Sequence, residues 1–189
     1  MRSDFLAVVD ALSTTNRPLL SPILTFGVLR RVRASFGSGS DYDRAIDAET
    51  ATRRWIDAWA RGWSQHDSSV IAPLYHDDAI FVSAPFREPK RGGPGAAEYA
   101  EWAFASEEQV EVWFAEPLVA SDGAAVRYWA IVRDRDGRDS TLAGISALRF
   151  HADGRVVEQR DHWHQETDVA RTPPDDWGPV AAHARSDTR

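Results

Sequence analysis

Apolar and polar positions change their period along this chain. Ile46, Ala51, Trp55, Ile56, Trp59 and Trp63 recur at three- and four-residue steps, which predicts an amphipathic helix over residues 45–63. Asp67 or Ser68 suits the cap of a short second helix running through Leu74, and residues 79–84 read as a compact strand. A Gly- and Pro-rich loop, 85–94, leads into a helix over 96–105 that offers Tyr99, Trp102 and Phe104 for packing. The period then drops to two. Residues 109–119, 124–135, 140–150 and 156–165 read as four strands, separated by the hairpin signals Asp122-Gly123, Asp136-Gly137 and Asp153-Gly154. Three helices around one early strand, followed by a four-stranded meander, predict an α+β domain. Residues 167–189, with Thr172-Pro173-Pro174 and Trp177-Gly178-Pro179, read as an irregular tail.

The first 40 residues stand apart. They carry a net charge of +3 against −10 for the remainder, and the change falls at the linker-like Phe36-Gly37-Ser38-Gly39-Ser40. Phe5, Leu6, Val8, Val9 and Leu12 suit a short helix, and Ser21-Pro22 opens a second one through Ile23, Phe26, Leu29 and Val32. The expected organisation is an N-terminal helical extension (1–40), a main domain (41–166) and the tail (167–189). The apolar run at 18–29 is shorter than the ~20 residues a membrane span needs, and its arginines follow it, unlike a secretory signal. Three readings of the extension stay open: a dimer-contacting arm, a surface amphipathic helix, or a start codon placed too early.

Composition narrows the chemistry. The chain has 189 residues, 43% hydrophobic and 27% charged, an ordinary globular balance. With no cysteine, disulfides, thiolate metal sites and cysteine nucleophiles are excluded, and a reducing, cytoplasmic location is expected. A net charge of −7 and a pI near 5.3 offer no electrostatic footprint for nucleic acid. Eight Trp, eight Phe and four Tyr point to an aromatic core or pocket.

The segments "RRWIDAWARG", "APLYHDDAIFVSAP", "RGGPGAAEYAEW" and "LRFHADGRVVEQRDHWHQ", spread over residues 45–166, resemble the nuclear-transport-factor-2-like cone fold. More narrowly they resemble SnoaL-like proteins, the relatives of ketosteroid isomerases and polyketide cyclases. The resemblance implies a cone-shaped curved mixed β-sheet wrapped around three helices, enclosing one apolar pocket, and a homodimer packed through the sheet. Its motifs specify fold better than function, since the fold hosts several chemistries. The ketosteroid-isomerase mechanism does not carry over. The resemblance sets its strand base against Ser83 or Ala84, and its oxyanion donors against Trp55 and Ser146; indole is a donor only.

The last strand carries the candidate site. Alternation puts Val157, Gln159, Asp161 and Trp163 on one face and Glu158, Arg160, His162 and His164 on the other. The resemblance makes the first face the pocket wall, so Asp161 is expected inside an aromatic cone. There burial either pairs it with a cation or raises its pKa toward acid/base use. Cyclases and limonene-epoxide-hydrolase-like enzymes of this fold have a working aspartate in the corresponding strand. Arg127 is the expected partner, with Arg127, Trp129 and Ile131 read as inward-facing; the epoxide-hydrolase pattern Arg-x-Asp is half present, because Trp129 stands where the second carboxylate belongs. His162 and His164 lack a third ligand and His76-Asp77-Asp78 reads as a turn, so no metal is expected. Gly92-Gly93-Pro94-Gly95 lacks the phosphate-loop Lys-Ser/Thr.

The resulting expectation is a SnoaL-like small-molecule enzyme of cyclase, isomerase or dehydratase type, acting on a hydrophobic carbonyl-bearing or polycyclic substrate without a cofactor. Asp161 is the general acid/base and Arg127 tunes it. Ser83, Ser146 and Gln159 are polar anchors, and Trp55, Trp59, Trp129 and Trp163 form the apolar wall. Two alternatives remain open: a non-catalytic dimeric ligand-binding or interaction module in which Arg127–Asp161 is a structural pair, and an epoxide-hydrolase-like hydrolase. A membrane partner is not expected.

Overall fold

The computed structural model describes residues 46–187; the expected N-terminal extension lies outside them. The first helix, α1 (Ala48–Gln65), begins where Asp47 accepts a hydrogen bond from the Thr50 backbone N–H at 2.8 Å. It stops at His66, whose left-handed backbone (φ 53°) lets its N–H reach back to Gly62 and Trp63 carbonyls. Between these caps, Ala51, Trp55, Ile56, Ala58 and Trp59 form the buried stripe that the three- and four-residue spacing predicts. The expected second helix is two single 3-10 turns, Ser68–Val70 and Ala72–Leu74, with Pro73 at the start of the latter.

Strand β1 (Tyr75–Val82) follows, then the two-residue β2 (Lys90–Arg91) and helix α2 (Gly92–Phe104). The Gly-rich stretch is thus the first turn of α2 rather than a loop. Gly93 is obligatory there, because a Cβ would lie 2.3 Å from the Ala72 carbonyl oxygen. The remaining strands are β3 (Glu107–Ala115), β4 (Leu118–Val119), β5 (Gly123–Asp134), β6 (Asp139–Phe150), β7 (Val156–Thr167) and β8 (Val180–Arg185).

Among the described residues these strands form one mixed sheet in the order β2-β1-β7-β6-β5-β3-β8, with β4 paired to β5. Only β1 and β7 run parallel; the other pairs are antiparallel, and the β5–β6–β7 meander has the expected hairpin turns. The α+β cone is therefore the fold observed. One face of the sheet packs on α1 and α2, with Trp55 edge-on to Phe114 at 5.8 Å and Phe81 edge-on to Tyr99 at 5.0 Å. Burying each such ring contributes roughly 1.5–3 kcal/mol.

The tail is a correction. Residues 168–179 are irregular, but Val180–Arg185 pairs antiparallel with β3 and extends the sheet. Its short Ala-rich run hides the strand signal, and only the open edge of β3 supplies the partner. The outer face is a second correction. Trp177 from the tail joins Trp113, Trp129 and Ile131 in a separate apolar cluster there, and His183 of β8 stacks on Trp113 at 4.8 Å. No helix among the described residues is long and apolar enough to cross a membrane.

Candidate functional site

A cavity of about 650 Å³ lies between the helices and the inner face of the sheet. Alternation along each strand delivers its wall. Tyr128 and Val132 come from β5; Leu142 and Ser146 from β6; Gln159, Asp161 and Trp163 from β7. Register ties these into rows, with Val126, Ser146 and Asp161 side by side in one and Tyr128, Gly144 and Trp163 in the next. From the helices, Trp55, Trp59 and Trp63 descend at one-turn intervals along α1, and Tyr99 and Trp102 face them from α2. Exposed Arg87 and Trp102 stand at the rim.

Asp161 sits in this wall, 8% exposed. Gln159 Nε2 donates to both of its oxygens, at 2.9 and 3.1 Å, and the Ser146 hydroxyl is a further hydrogen-bond partner. Burial pushes the carboxyl up to about 7, against the opposing pull of the Ser146 and Gln159 hydrogen bonds. Gln159 is itself fixed from behind: its Oε1 accepts from Trp55 Nε1 at 3.1 Å and from the Tyr75 hydroxyl, which also accepts from Trp59 Nε1 at 3.2 Å. Burial likewise drives the Tyr75 hydroxyl far above its ordinary range, so it stays a donor. A chain of neutral groups thus orients the carboxyl of Asp161, the buried one on β7.

Arg127 is not part of this arrangement, and the expected pairing with Asp161 is overturned. Val126, Tyr128, Ala130 and Val132 face inward, so Arg127 and Trp129 lie on the outer side of β5. There Arg127 donates to the Trp177 carbonyl at 2.7 Å and covers the Trp177 ring at 5.5 Å, while Trp129 Nε1 donates to the Arg171 carbonyl at 2.6 Å. A one-residue error in phase moves every side chain of a strand to the other face. Arg133, at an even spacing from Arg127, marked that face as the polar one. The half-complete epoxide-hydrolase arrangement, which needs this guanidinium at Asp161, disappears with it.

The other expected site residues divide. Trp55, Trp59, Ser146, Gln159 and Trp163 all line the cavity. Ser83, just past the end of β1, is buried behind the wall; its carbonyl accepts from Trp163 Nε1 at 2.7 Å and its side chain hydrogen-bonds Tyr99. His162 and His164 are exposed on the outer face, and no three His, Asp or Glu side chains among the described residues converge as a metal site would require. Sequence reasoning missed Tyr99, Tyr128, Arg87 and Glu107. The first two belonged to an aromatic pattern that fits a filled core as well as a cavity wall.

Four indole N–H groups of the wall are already committed: Trp55 to Gln159, Trp59 to Tyr75, Trp63 to Glu107 and Trp163 to Ser83. These tryptophans therefore offer ring surface to a ligand. Among the polar groups of the wall that a ligand can meet are the carboxyl of Asp161 and the hydroxyls of Tyr99 and Tyr128, both held protonated by burial, Tyr99 at about 12 and Tyr128 far above its ordinary range.

Comparison with known proteins agrees with this architecture. Residues 52–159 match the model of the SnoaL-like domain family. No curated sequence matches the chain. Among solved structures, an epoxide hydrolase resembling limonene epoxide hydrolase, from Mycobacterium tuberculosis, superposes with a TM-score of 0.51 at 15% identity, over 61% of this chain and 84% of its own. SalBIII, an epoxide hydrolase/cyclase-like enzyme of pyran ring formation in the polyether salinomycin, gives 0.53 at 13% identity, over 63% and 98%. A type 2 hexachlorocyclohexane dehydrochlorinase, LinA, gives 0.53 at 12% identity, over 66% and 93%. At these identities the likeness is one of fold.

Proposed function

Because the chain belongs to the SnoaL-like domain family, we propose that its cavity is an active site in which Asp161 transfers protons to and from a hydrophobic, carbonyl-bearing small molecule. One observation carries this reading. Asp161 is buried in an aromatic cavity with only neutral hydrogen-bond partners, and its pKa lies near 7. A carboxyl poised there serves as base or acid at neutral pH. The structural alternative asked for a salt bridge to Arg127, and that guanidinium is bonded elsewhere.

In this reading the ionised Asp161 takes a proton from the carbon beside the substrate carbonyl. The C–H bond breaks, an O–H bond forms on Asp161, and the electron pair moves to the carbonyl oxygen. Tyr99 and Tyr128 supply hydroxyl donors for that oxygen. Returning the proton at another carbon isomerises the substrate, and expelling a leaving group from the next carbon eliminates it. Cyclase, isomerase and dehydratase outcomes share this first step, and the named activities of the structural neighbours lend support to small-molecule chemistry in such a cavity. We also infer a homodimer through the outer side of β6 and β7, where Arg160, His162 and His164 are exposed.

The test follows exchange of the carbon-bound hydrogens of β-tetralone, an apolar ketone, in deuterated buffer by NMR. The protein is expected to accelerate exchange, and Asp161→Asn to lower the acceleration by roughly 10²–10⁴-fold with the fold retained. Equal rates for the two proteins, or no acceleration with any apolar ketone of this size, would refute the assignment.

A further inference from the structure

Glu107 is a second carboxyl in the same cavity, and a local backbone feature puts it there. Val110, Val112 and Phe114 of β3 are buried toward the core, so strict alternation would place Glu107 on the opposite, outer face. The register shows why it is not. Glu107 pairs with Asp134 and Gln109 with Arg133, so two residues of β3 stand against one of β5. This bulge turns Glu107 inward, onto the cavity wall. Its side chain is 12% exposed, and Trp63 Nε1 donates to Oε2 at 3.0 Å.

The groups facing it are acidic or neutral. Asp134, directly across the strand pair, also lines the cavity, and its Oδ1 is held by the backbone N–H groups of Asp136 and Arg138. His66, from the end of α1, brings Nε2 to 3.6 Å from Glu107 Oε2; that nitrogen is buried with no hydrogen-bond partner among the described residues. Burial, assisted by the charge of Arg135, holds the His66 pKa below its ordinary value, so the ring is neutral. Both contacts to Glu107 fall on Oε2 and leave Oε1 unused by either. Trp63 lies eight residues, about 12 Å of helix, beyond Trp55, which marks the Asp161 end. The cavity is therefore elongated, with Asp161 toward one end, Glu107 and Asp134 toward the other, and aromatic rings between.

We propose that the Glu107 end of the cavity is a binding subsite for a protonated amine, so that the ligand is an elongated aromatic or alicyclic molecule with a basic nitrogen at one end. A carboxylate facing an uncharged imidazole and a second carboxylate lacks a counter-ion, and an ammonium supplies one. Trp63 and Phe104 add apolar ring surface to the wall. This subsite is independent of the acid/base role of Asp161: it concerns binding, and it stands or falls without turnover. In the folded protein burial raises the Glu107 pKa to about 7, with the Trp63 hydrogen bond opposing. An ammonium ligand is then favoured above that pH and must displace a proton below it.

The test compares phenylbutylamine with phenylbutanol, its uncharged counterpart, by calorimetric titration of the full chain. The amine is expected to bind roughly tenfold or more tightly than the alcohol at about pH 8, as one buried charge-assisted contact provides. Its affinity should fall as pH drops through about 7, while that of the alcohol stays level. In Glu107→Gln the preference should vanish with alcohol binding preserved, which also shows that the variant is folded. Three results would overturn the proposal: equal affinities in the wild type, a preference that survives Glu107→Gln, or a preference lost in Asp161→Asn instead. β-Tetralone exchange, which carries no amine, judges the Asp161 assignment separately.

Discussion

Gly144 of β6 lies directly across from Tyr128 of β5, and a Cβ at Gly144 would stand 2.6 Å from both Cζ and Oη of that tyrosine. It would also meet Trp163 Cβ at 2.7 Å. The missing side chain is the space in which the Tyr128 ring lies flat against the sheet, leaving the cavity open above it. Gly144→Ala should push Tyr128 into the cavity and destabilise the fold by about 1–3 kcal/mol through overpacking. Chemical denaturation should read the loss, and binding of phenylbutanol should weaken in parallel. An unchanged midpoint would mean that the ring has room to move elsewhere.

Gln159 is the hub between the aromatic core and the carboxyl. Gln159→Leu keeps the volume but strands three partners at once: Trp55 Nε1, the Tyr75 hydroxyl and Asp161. Each unsatisfied buried group costs about 1–3 kcal/mol, so a total above about 3 kcal/mol is expected in urea unfolding. A loss under about 1 kcal/mol would show that the network is not a stabilising element.

Stability should depend on pH through Asp161 and Glu107, the two cavity carboxyls that burial perturbs. Asp161 and Glu107 rise in the fold from ordinary values of 3.8 and 4.5 to about 7. With a folded pKa above the unfolded one, the contribution is complete below about pH 4 and declines as the pH rises to about 7, then stays constant. For Asp161 the decline is on the order of 4 kcal/mol. Asp161→Asn should flatten the unfolding free energy against pH over that window, and superimposable wild-type and variant slopes would contradict the buried neutral carboxyl.

The C-terminal segment is expected to be integral. Removing residues 168–189 strips β8 from β3 and withdraws Trp177 from Trp113 and Arg127. The melting temperature should fall by on the order of 10 °C or more, as a loss of several kcal/mol implies for a domain of this size. A shift of only a few degrees would make the segment an appendage.

The outer side of β6 and β7 makes the oligomer testable. Light scattering at micromolar concentration should give the mass of two chains, and a negative charge placed in that face by His162→Glu should lower it. A monomeric mass for the unaltered protein would remove the dimer.

Much of this protein was legible in its sequence because local rules govern it. The helical stripe of α1 follows from Trp55, Ile56 and Trp59 at turn spacing, and the meander from period-two runs joined at three Asp-Gly turns. On β7 alternation separated Gln159, Asp161 and Trp163 from Arg160, His162 and His164, and the resemblance to the cone fold made the first set the inner one. On β5 both faces carry aromatics, Tyr128 on one and Trp129 on the other, so alternation defined two faces and only the charges of Arg127 and Arg133 pointed to the outer one. Tertiary structure decided that, by laying Trp177 over the Arg127 side. It also decided β8, whose Ala-rich run becomes a strand only against the free edge of β3, and the inward turn of Glu107. That last position rests on one extra residue in a strand pair, and pairing between segments distant in the chain leaves no local period to read.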